Sequence, residues 1–287
     1  MTEIGQQHTD PDIEAAFFDI DRTLVASGTH MLHQGLPDVL DPEHRPFAFT
    51  EITARGVALY QDVLRKNPEL APSPDMPLGL EYGTHIVTSN DYYDAATYKS
   101  VHHSSLNDAE RSQLVSFLGS VPFMRVAFYS HDPAQPRTIW LPEAYNDRTA
   151  PQEPVVVHAG SVNSLARAMQ DAQPGMVAVK LPSAYTPSLP ESLTIHATSF
   201  SGTTTYDMLP QHTDKRDAVL RIASLLGLPH EALFTAGDSL PDLGMLTIEG
   251  IRSAVVRNPK VHERVFPVHI PRVEPDRFAH YLAALNK

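Results

Sequence analysis

Short runs of apolar residues that stop abruptly at polar ones recur along this chain. Residues 15–18 run into Asp19, and residues 233–236 run into Gly237. An apolar run of this length, with no alternation, is typical of a strand buried on both faces of a parallel sheet. Ligands bind beyond the carboxyl ends of such strands, so the polar residues that follow each run are the first candidates for chemistry.

Helical periodicity accompanies these runs. A run at 47–49 leads into Thr50 and then into an amphipathic segment over about 52–67, and a proline-rich loop separates it from a further strand at 84–90. The pattern predicts a helix over 214–226, with Gly227 as its stop. Strands are expected at 253–256 and 265–270, and an amphipathic helix closes the chain.

The middle of the chain has a different pattern. A capping box at 107–110 opens an apolar helix, and strands are expected at 124–129 and 138–141. Residues 155–181 suggest a β-α-β unit, and residues 193–200 alternate as a one-sided antiparallel strand does. We therefore expect an α/β fold: a Rossmann-like core with a parallel sheet, formed by residues 1–92 and 211–287, and an inserted α+β domain with an antiparallel sheet, residues 93–210.

Composition narrows the class of protein. The chain has 287 residues, 42% of them apolar, which suits about two folded domains. Its net charge of −12 argues against nucleic acid or an anionic membrane as a partner. It contains no cysteine, which excludes disulfides, a thiol nucleophile and Cys-ligated metals. The polar N-terminal segment and the lack of a long apolar stretch lead us to expect a soluble, cytoplasmic protein.

Two acidic motifs follow two of the apolar runs. The first is Asp19-x-Asp21-x-Thr23, and the second reads Gly-Asp-Ser-Leu-Pro-Asp, with its acids at Asp238 and Asp242. Strand ends of a parallel sheet converge, so these carboxylates should cluster, and clustered carboxylates repel one another unless a cation lies among them. Oxygen ligands without His or Cys indicate Mg²⁺.

These motifs resemble the first and fourth motifs of phosphatases of the haloacid dehalogenase superfamily. Lys215 stands where the third-motif lysine of that superfamily is expected, and the inserted module resembles the large α+β cap of the Cof-type and sucrose-phosphatase-like branch. The resemblance spans nearly the whole chain. Three positions depart from the common pattern: Arg22 replaces a frequent glycine, Pro241 an asparagine, and Asp91 a glycine at the entry to the cap.

The resemblance implies a role for each acidic residue. Asp19 would be the nucleophile that forms an aspartyl-phosphate, and Asp21 the general acid and base. The Asp19 carboxylate, the Asp21 carbonyl and Asp238 would hold Mg²⁺, with Asp242 beside or just behind them. Lys215 would neutralise the nucleophile and the transferring phosphoryl group.

The hydroxyl of the second motif has two candidates. Thr53, in Thr-Ala-Arg, resembles the Thr-Gly-Arg of this branch, but that register places Glu51 inside a strand, where an unpaired carboxylate is costly. Thr50 directly follows the apolar run and is slightly favoured. Both residues are retained as candidates.

The function expected from the resemblance is a Mg²⁺-dependent phosphatase that acts on a small phosphate ester, such as a sugar phosphate. A phosphomutase of the phosphomannomutase-like type is an alternative within catalysis, and a non-catalytic binding or regulatory protein is an alternative outside it. The sequence leaves the substrate and the oligomeric state open.

Overall fold

A computed structural model describes residues 12–133, 135, 137–142 and 155–286 of the chain. The strands, in chain order, are β1 (Ala15–Phe18), β2 (Ala48–Glu51), β3 (Leu78–Leu80), β4 (His85–Thr88), β5 (Lys99–His103), β6 (Arg125–Phe128), β7 (Arg137–Leu141), β8 (Val155–Ala159), β9 (Val177–Pro182), β10 (Leu193–Phe200), β11 (Thr203–Pro210), β12 (Leu233–Gly237), β13 (Arg252–Val256) and β14 (Arg272–Val273). The α-helices are α1 (Leu36–Leu40), α2 (Val57–Lys66), α3 (Asp108–Ser120), α4 (Val162–Ala172), α5 (Lys215–Leu226), α6 (Leu243–Leu246) and α7 (Phe278–Leu282).

A five-stranded parallel sheet, in the order β14-β13-β12-β1-β2, forms the core. Strand β1 lies inside it, and successive side chains point to opposite faces. Phe18 packs into the apolar cluster that includes Phe49 and Phe278, whereas Phe17 packs into the cluster that includes Val219 and Ile222. Both faces are therefore covered, which explains why the strand is continuously apolar.

Helix α5 is positioned at both of its ends by local interactions. At its start the Asp214 carboxylate accepts a hydrogen bond of 3.2 Å from the backbone amide of Asp217, and at its end Gly227 adopts a left-handed conformation with φ of 69°. Val219 and Ile222 anchor its apolar face on the sheet. The first residue of the helix, Lys215, is consequently held at the carboxyl edge of the strands.

A second sheet has six strands in the order β10-β11-β9-β6-β7-β8. Its pairings are antiparallel except that of β7 with β8. Helices α3 and α4 cover one face through Leu114, Phe117, Leu165 and Met169. The expected fold class, a parallel-sheet core with a separate antiparallel-sheet module, is confirmed. The proposed domain limits, 1–92 with 211–287 and 93–210, stay a prediction.

Two of the expected strands differ in the structure. The segment at 84–90 contributes β4 to a small antiparallel sheet, β3-β4-β5, rather than to the core sheet. The strand expected at 265–270 is wrong: this segment follows a 3₁₀ helix and forms turns. Pro267 and Pro271 cannot donate to a ladder, and Val268 is 92% exposed.

The expectations for the first 11 residues and for most of the proline-rich connection at 133–154 fall outside the described residues. Among the helices of the described part of the chain, none combines the length and the apolar composition that a membrane span requires.

Candidate active site

Asp19 is the first residue after β1 and lies at the carboxyl edge of the parallel sheet. Its backbone amide donates to the carbonyl of Ala236 at 2.9 Å, which continues the pairing of β1 with β12 by one residue. The Thr23 hydroxyl donates to Asp19 Oδ2 at 3.2 Å. The Asp19 side chain is thus fixed by the strand ends, and the residue is only 6% exposed.

Lys215 connects the two acidic motifs. Its Nζ donates to Asp19 Oδ1 and, at 2.6 Å, to Asp242 Oδ1. Burial disfavours the ammonium form, but the two carboxylates outweigh burial and raise the pKa of Lys215 above its ordinary value. Lys215 therefore stays charged at every physiological pH and places a full positive charge against Asp19.

Asp242 organises the loop that follows β12. Its Oδ2 accepts hydrogen bonds from the backbone amides of Asp238 and Ser239, both at 2.9 Å, and from the Ser239 hydroxyl at 2.8 Å. Position 237 must be glycine, because a Cβ there would lie 2.4 Å from Cβ of Asp242. Both Asp242 oxygens therefore have protein donors, and Asp242 orients Lys215 and Asp238.

Asp238 accepts fewer hydrogen bonds than Asp242 from the described residues. The Asn258 side-chain amide donates to Asp238 Oδ2, and the Thr23 hydroxyl approaches Oδ1 at 3.5 Å. Burial, with a further contribution from the Asp242 charge, raises the pKa of Asp238 to about 7. Burial likewise raises the pKa of Asp19 well above its ordinary value, with Lys215 opposing the rise and Asp242 and Asp238 adding to it.

This cluster fits a divalent cation. Asp19, Asp238 and Asp242 each offer a carboxylate oxygen within 4.8 Å of the others, and all three residues are buried. One lysine cannot neutralise three buried carboxylates. Burial, with a smaller contribution from repulsion between the carboxylates, raises the pKa values of Asp19 and Asp238. An all-oxygen donor set suits Mg²⁺.

Asp21 points away from this cluster and forms an ion pair with Arg55. The guanidinium Nε and Nη2 bind the two Asp21 oxygens at 2.9 and 2.6 Å, a bidentate arrangement. Arg55 Nη2 also lies 3.1 Å from Nδ1 of His30. The Asp21 side chain is 46% exposed and borders a cavity of about 280 Å³ between the core sheet and the six-stranded sheet.

The two candidate threonines occupy different positions. The Thr50 hydroxyl donates to the carbonyl of Pro77 at 2.7 Å and lies inside the sheet. Thr53 lies beyond the end of β2, and its Oγ1 accepts from the backbone amide of Arg55 at 3.1 Å. The reason for favouring Thr50 was wrong: Glu51 does lie within the strand, fully buried, where Tyr60 donates to it and burial raises its pKa well above the ordinary value.

Tyr82 is a residue of this site that the motifs did not indicate. Lys215 Nζ lies 5.9 Å from the centre of the Tyr82 ring, and the Tyr82 hydroxyl donates to Asp207 of β11 at 2.9 Å. Glu81, Tyr82 and Gly83 all have positive φ, between 51° and 88°. Two non-glycine residues in this conformation are strained, so the surrounding contacts must hold the turn that places Tyr82 between Lys215 and the six-stranded sheet.

Two further residues adjoin Asp238. The Asn258 side-chain oxygen accepts from the Lys260 amide at 3.0 Å, and its amide nitrogen donates to Asp238. Burial raises the pKa of Asp238, and the charge of Arg22 opposes that rise. Arg22 has φ of 68°, which explains why glycine suits its position.

Of the residues singled out from sequence, the structure brings together Asp19, Lys215, Asp238 and Asp242. Asp21 and Thr53 lie at the same edge of the sheet, and Thr50 lies deeper. Tyr82 lacked a signal because it contacts Lys215 across a large sequence separation. Asn258 follows β13 and so lies near the same edge of the sheet, which is the signal that could have found it.

Comparison with known proteins agrees with this architecture. Residues 188–269 match the family model of sucrose-6F-phosphate phosphohydrolase. No curated protein matches the chain significantly by sequence. The solved structure of a haloalkanoate (HAD) superfamily phosphatase from Bacteroides thetaiotaomicron aligns with TM-score 0.68 and 16% identity, covering 99% of this chain and 98% of that one.

Two other solved structures are similar to the same extent. A sugar phosphatase of HAD subclass IIB gives TM-score 0.68 at 14% identity, covering 95% of this chain and 97% of that one. A haloacid dehalogenase-like hydrolase from B. subtilis gives 0.66 at 16% identity, covering 95% and 100%. The resemblance to the capped, sucrose-phosphatase-like branch of the superfamily is therefore confirmed at the level of fold and family model.

Proposed function

Taking this chain as a capped member of the haloacid dehalogenase superfamily, we propose that it is a Mg²⁺-dependent phosphatase. It hydrolyses a small phosphate monoester, a sugar phosphate, through an aspartyl-phosphate on Asp19. The observation that carries the proposal is the buried Asp19 carboxylate, held by Lys215 on one side and adjoining Asp238 on the other. The matched family and the phosphatases of similar fold support it.

Asp19 is suited to nucleophilic attack on phosphorus. Thr23 binds its Oδ2 and Lys215 binds its Oδ1, so the carboxylate has one fixed orientation. A carboxylate that attacks a phosphoryl group must not be repelled by it, and the adjacent ammonium of Lys215 offsets that repulsion. Asp242 keeps the ammonium in place through its 2.6 Å contact.

Asp21 serves as general acid to the leaving alcohol and then as general base to the attacking water. Its exposed carboxylate borders the cavity in which the leaving group would lie, and Arg55 fixes its orientation. Thr53 is our choice for the second-motif hydroxyl, because it lies beyond the end of β2 and Thr50 is engaged with Pro77.

Asp19, Asp238 and the backbone carbonyl of Asp21 would hold Mg²⁺, with Asp242 behind them. When bound, the ion would supply charge stabilisation to the transferring phosphoryl group. Asn258 orients Asp238 toward this position through its side-chain amide.

The module at 93–210 acts as a cap that closes over Asp19 and excludes bulk water. Tyr82 and Asp207 connect the two parts at the closed site. We place the protein in the cytoplasm, with a small-molecule phosphate ester as its partner.

The test is release of inorganic phosphate from a panel of sugar, sugar-acid, polyol and nucleotide phosphates, with and without Mg²⁺. The wild-type chain should release phosphate only with Mg²⁺, and Asp19→Asn should abolish turnover while the melting temperature shows a folded protein. Isomerised hexose phosphate without free phosphate would indicate a mutase instead. No turnover on the whole panel, or full activity of Asp19→Asn, would overturn the proposal.

A further inference from the structure

Tyr82 lies between β3 and β4, yet two residues of the six-stranded sheet hold its side chain. The Tyr82 hydroxyl donates to Asp207 Oδ2 at 2.9 Å, and its ring packs against the His196 imidazole, with ring centroids 4.6 Å apart and ring planes at 33°. His196 of β10 and Asp207 of β11 are direct cross-strand partners, so their side chains leave the same face of that sheet. One of them contacts the ring of Tyr82, and the other binds its hydroxyl.

The Tyr82 ring also contacts the lysine of the site. Lys215 Nζ lies 5.9 Å from the centre of the ring, within the range of a cation–π interaction. Both residues are nearly inaccessible to solvent, since Tyr82 is 5% exposed and Lys215 is 2% exposed. An aromatic ring in this position keeps water away from the ammonium. An ammonium without water acts more strongly on Asp19 and on a phosphoryl group beside it.

The turn that carries Tyr82 packs on the helix that carries Lys215. A Cβ at Gly83 would lie only 2.3 Å from Cβ of Ala218, so the turn and α5 are in direct contact. Tyr82 has φ of 59°, a strained conformation that its surroundings must maintain. Helix α5 supports the turn from within the core. The contacts from the six-stranded sheet, in contrast, depend on where that sheet lies.

His196 contributes its ring rather than a hydrogen bond to this arrangement. Its Nε2 is buried and has no hydrogen-bond partner among the described residues, which is a destabilising state for a polar atom. Burial lowers the pKa of His196, and the charge of Lys215 lowers it further, so the ring is neutral near pH 7. A neutral ring can pack on Tyr82 without placing a second positive charge beside Lys215.

We propose that Tyr82 is a positioning residue through which the six-stranded sheet sets the environment of Lys215. With the sheet in its present place, His196 and Asp207 hold the Tyr82 ring beside the ammonium. When the sheet moves away, the ring loses both contacts and water reaches Lys215. The sheet thereby controls the phosphoryl-transfer step as well as access to the site. This inference rests on the phosphatase function proposed above and adds its regulation.

Steady-state kinetics with Mg²⁺, on the most active ester of the panel, test this coupling. Tyr82→Leu removes the ring and should lower kcat about tenfold or more, the size expected for a cation–π contact that is shielded from water. His196→Ala should lower kcat in the same direction, because the ring of Tyr82 loses its support. KM should change little in either variant, because neither side chain lines the cavity beside Asp21.

Two further variants distinguish this coupling from a purely structural role. His196→Phe keeps an aromatic ring next to Tyr82 and should retain most of the wild-type kcat, because the buried nitrogen that it removes has no partner among the described residues. In the double variant, His196→Ala should add nothing to the effect of Tyr82→Leu, because His196 acts through the Tyr82 ring.

His158→Ala is the matched control. His158 packs on the ring of Trp140, with ring centroids 5.3 Å apart, and belongs to β8 at the opposite edge of the same sheet from β10. This variant loses a histidine–aromatic contact of the same kind and should keep the wild-type kcat. Melting temperatures identify any variant that fails to fold. If Tyr82→Leu does not fold, the comparison of His196→Ala with His196→Phe decides.

The outcomes distinguish this inference from the proposed function. An active wild-type chain whose kcat is unchanged in Tyr82→Leu and His196→Ala, or additive losses in the double variant, would overturn the coupling and leave the phosphatase intact. A rise in KM alone, or failure of His196→Phe to retain kcat, would overturn it as well. Absence of Mg²⁺-dependent phosphate release from every ester would overturn the phosphatase and the coupling with it.

Discussion

Arg55 holds Asp21 by a bidentate ion pair, with contacts of 2.9 and 2.6 Å, although the two residues come from loops after different strands. The Arg55 side chain is only 11% exposed, so it is a fixed support for the more exposed side chain of Asp21. Catalysis by Asp21 therefore depends on the geometry of Arg55, and this dependence can be measured.

Arg55→Lys should lower kcat on alkyl phosphates by about ten- to hundredfold, because an ammonium cannot reproduce the two-pronged contact that orients Asp21. The loss should be much smaller on p-nitrophenyl phosphate, whose leaving group needs no proton. Arg65→Lys, on the exposed side of α2, is the matched control. Equal losses on both substrate types would contradict a role in orienting the general acid.

Substitution of Thr53 should mainly lower activity, whereas substitution of Thr50 should mainly lower stability. Thr53→Val should reduce kcat/KM about tenfold or more, because the hydroxyl acts on the phosphoryl group. It should cost less stability than Thr50→Val, because the Arg55 amide that loses its acceptor is only partly buried. Thr50→Val leaves the buried Pro77 carbonyl without its donor, and should cost about 1–3 kcal/mol of unfolding free energy. Steady-state kinetics and urea denaturation check both. The reverse pattern would restore Thr50 as the catalytic hydroxyl.

Binding of Mg²⁺ should weaken as the pH falls. The pKa of Asp238 is raised to about 7, so below that pH the ion must displace a proton from the carboxyl group. For one displaced proton, the apparent affinity falls about tenfold per pH unit below the pKa and levels off above it. Calorimetric titrations with Mg²⁺ at pH 6 and pH 8 measure this.

Asn258→Ala sharpens the same prediction. The Asn258 amide stabilises the ionised form of Asp238, so its removal should raise the pKa and shift the affinity profile to higher pH. An affinity independent of pH between 6 and 8 would contradict a role for Asp238 in holding the ion.

Gly56 lets the two parts of the molecule approach closely. A Cβ at this position would lie 2.1 Å from the ring of Tyr129, which directly follows β6 of the six-stranded sheet. The added methyl group of Gly56→Ala should therefore keep residue 56 and Tyr129 further apart than they are in this structure, and should raise KM several-fold. Gly119→Ala, where a Cβ meets nothing within 4 Å, is the control, and Gly56→Ala with Tyr129→Ala should recover the lower KM. An unchanged KM in Gly56→Ala would show that this contact is not part of the substrate-bound state.

The parts of the fold that the sequence predicted well are those specified by local pattern. Strands β1 and β12 are buried on both faces, so their runs are continuously apolar, and α5 carries both an N-cap and a glycine stop. Their acidic residues then follow at the carboxyl edge by geometry alone. This is why Asp19, Asp238 and Asp242 could be expected together before their distances were known, whereas Lys215 was expected beside them only from the resemblance to the superfamily.

The remaining features depend on contacts that local pattern does not encode. Glu51 reads as a strand breaker, yet Tyr60 reaches it across the core and it stays in β2. Residues 265–270 are mostly apolar, as a strand can be, but Pro267 within the segment and Pro271 after it cannot donate to a ladder. Tyr82 lies near Lys215 because a strained left-handed turn places it there. The neighbouring residues in the sequence do not predict that turn.

The most direct test of the central claim is to trap the phosphorylated enzyme. The wild-type chain, mixed with a ³²P-labelled preferred ester and Mg²⁺ and quenched in acid within milliseconds, should carry acid-stable label on the peptide that contains Asp19. Asp19→Asn should carry none. Label on another residue, or rapid phosphate release with no label on the wild-type protein at any time, would contradict Asp19 as the nucleophile.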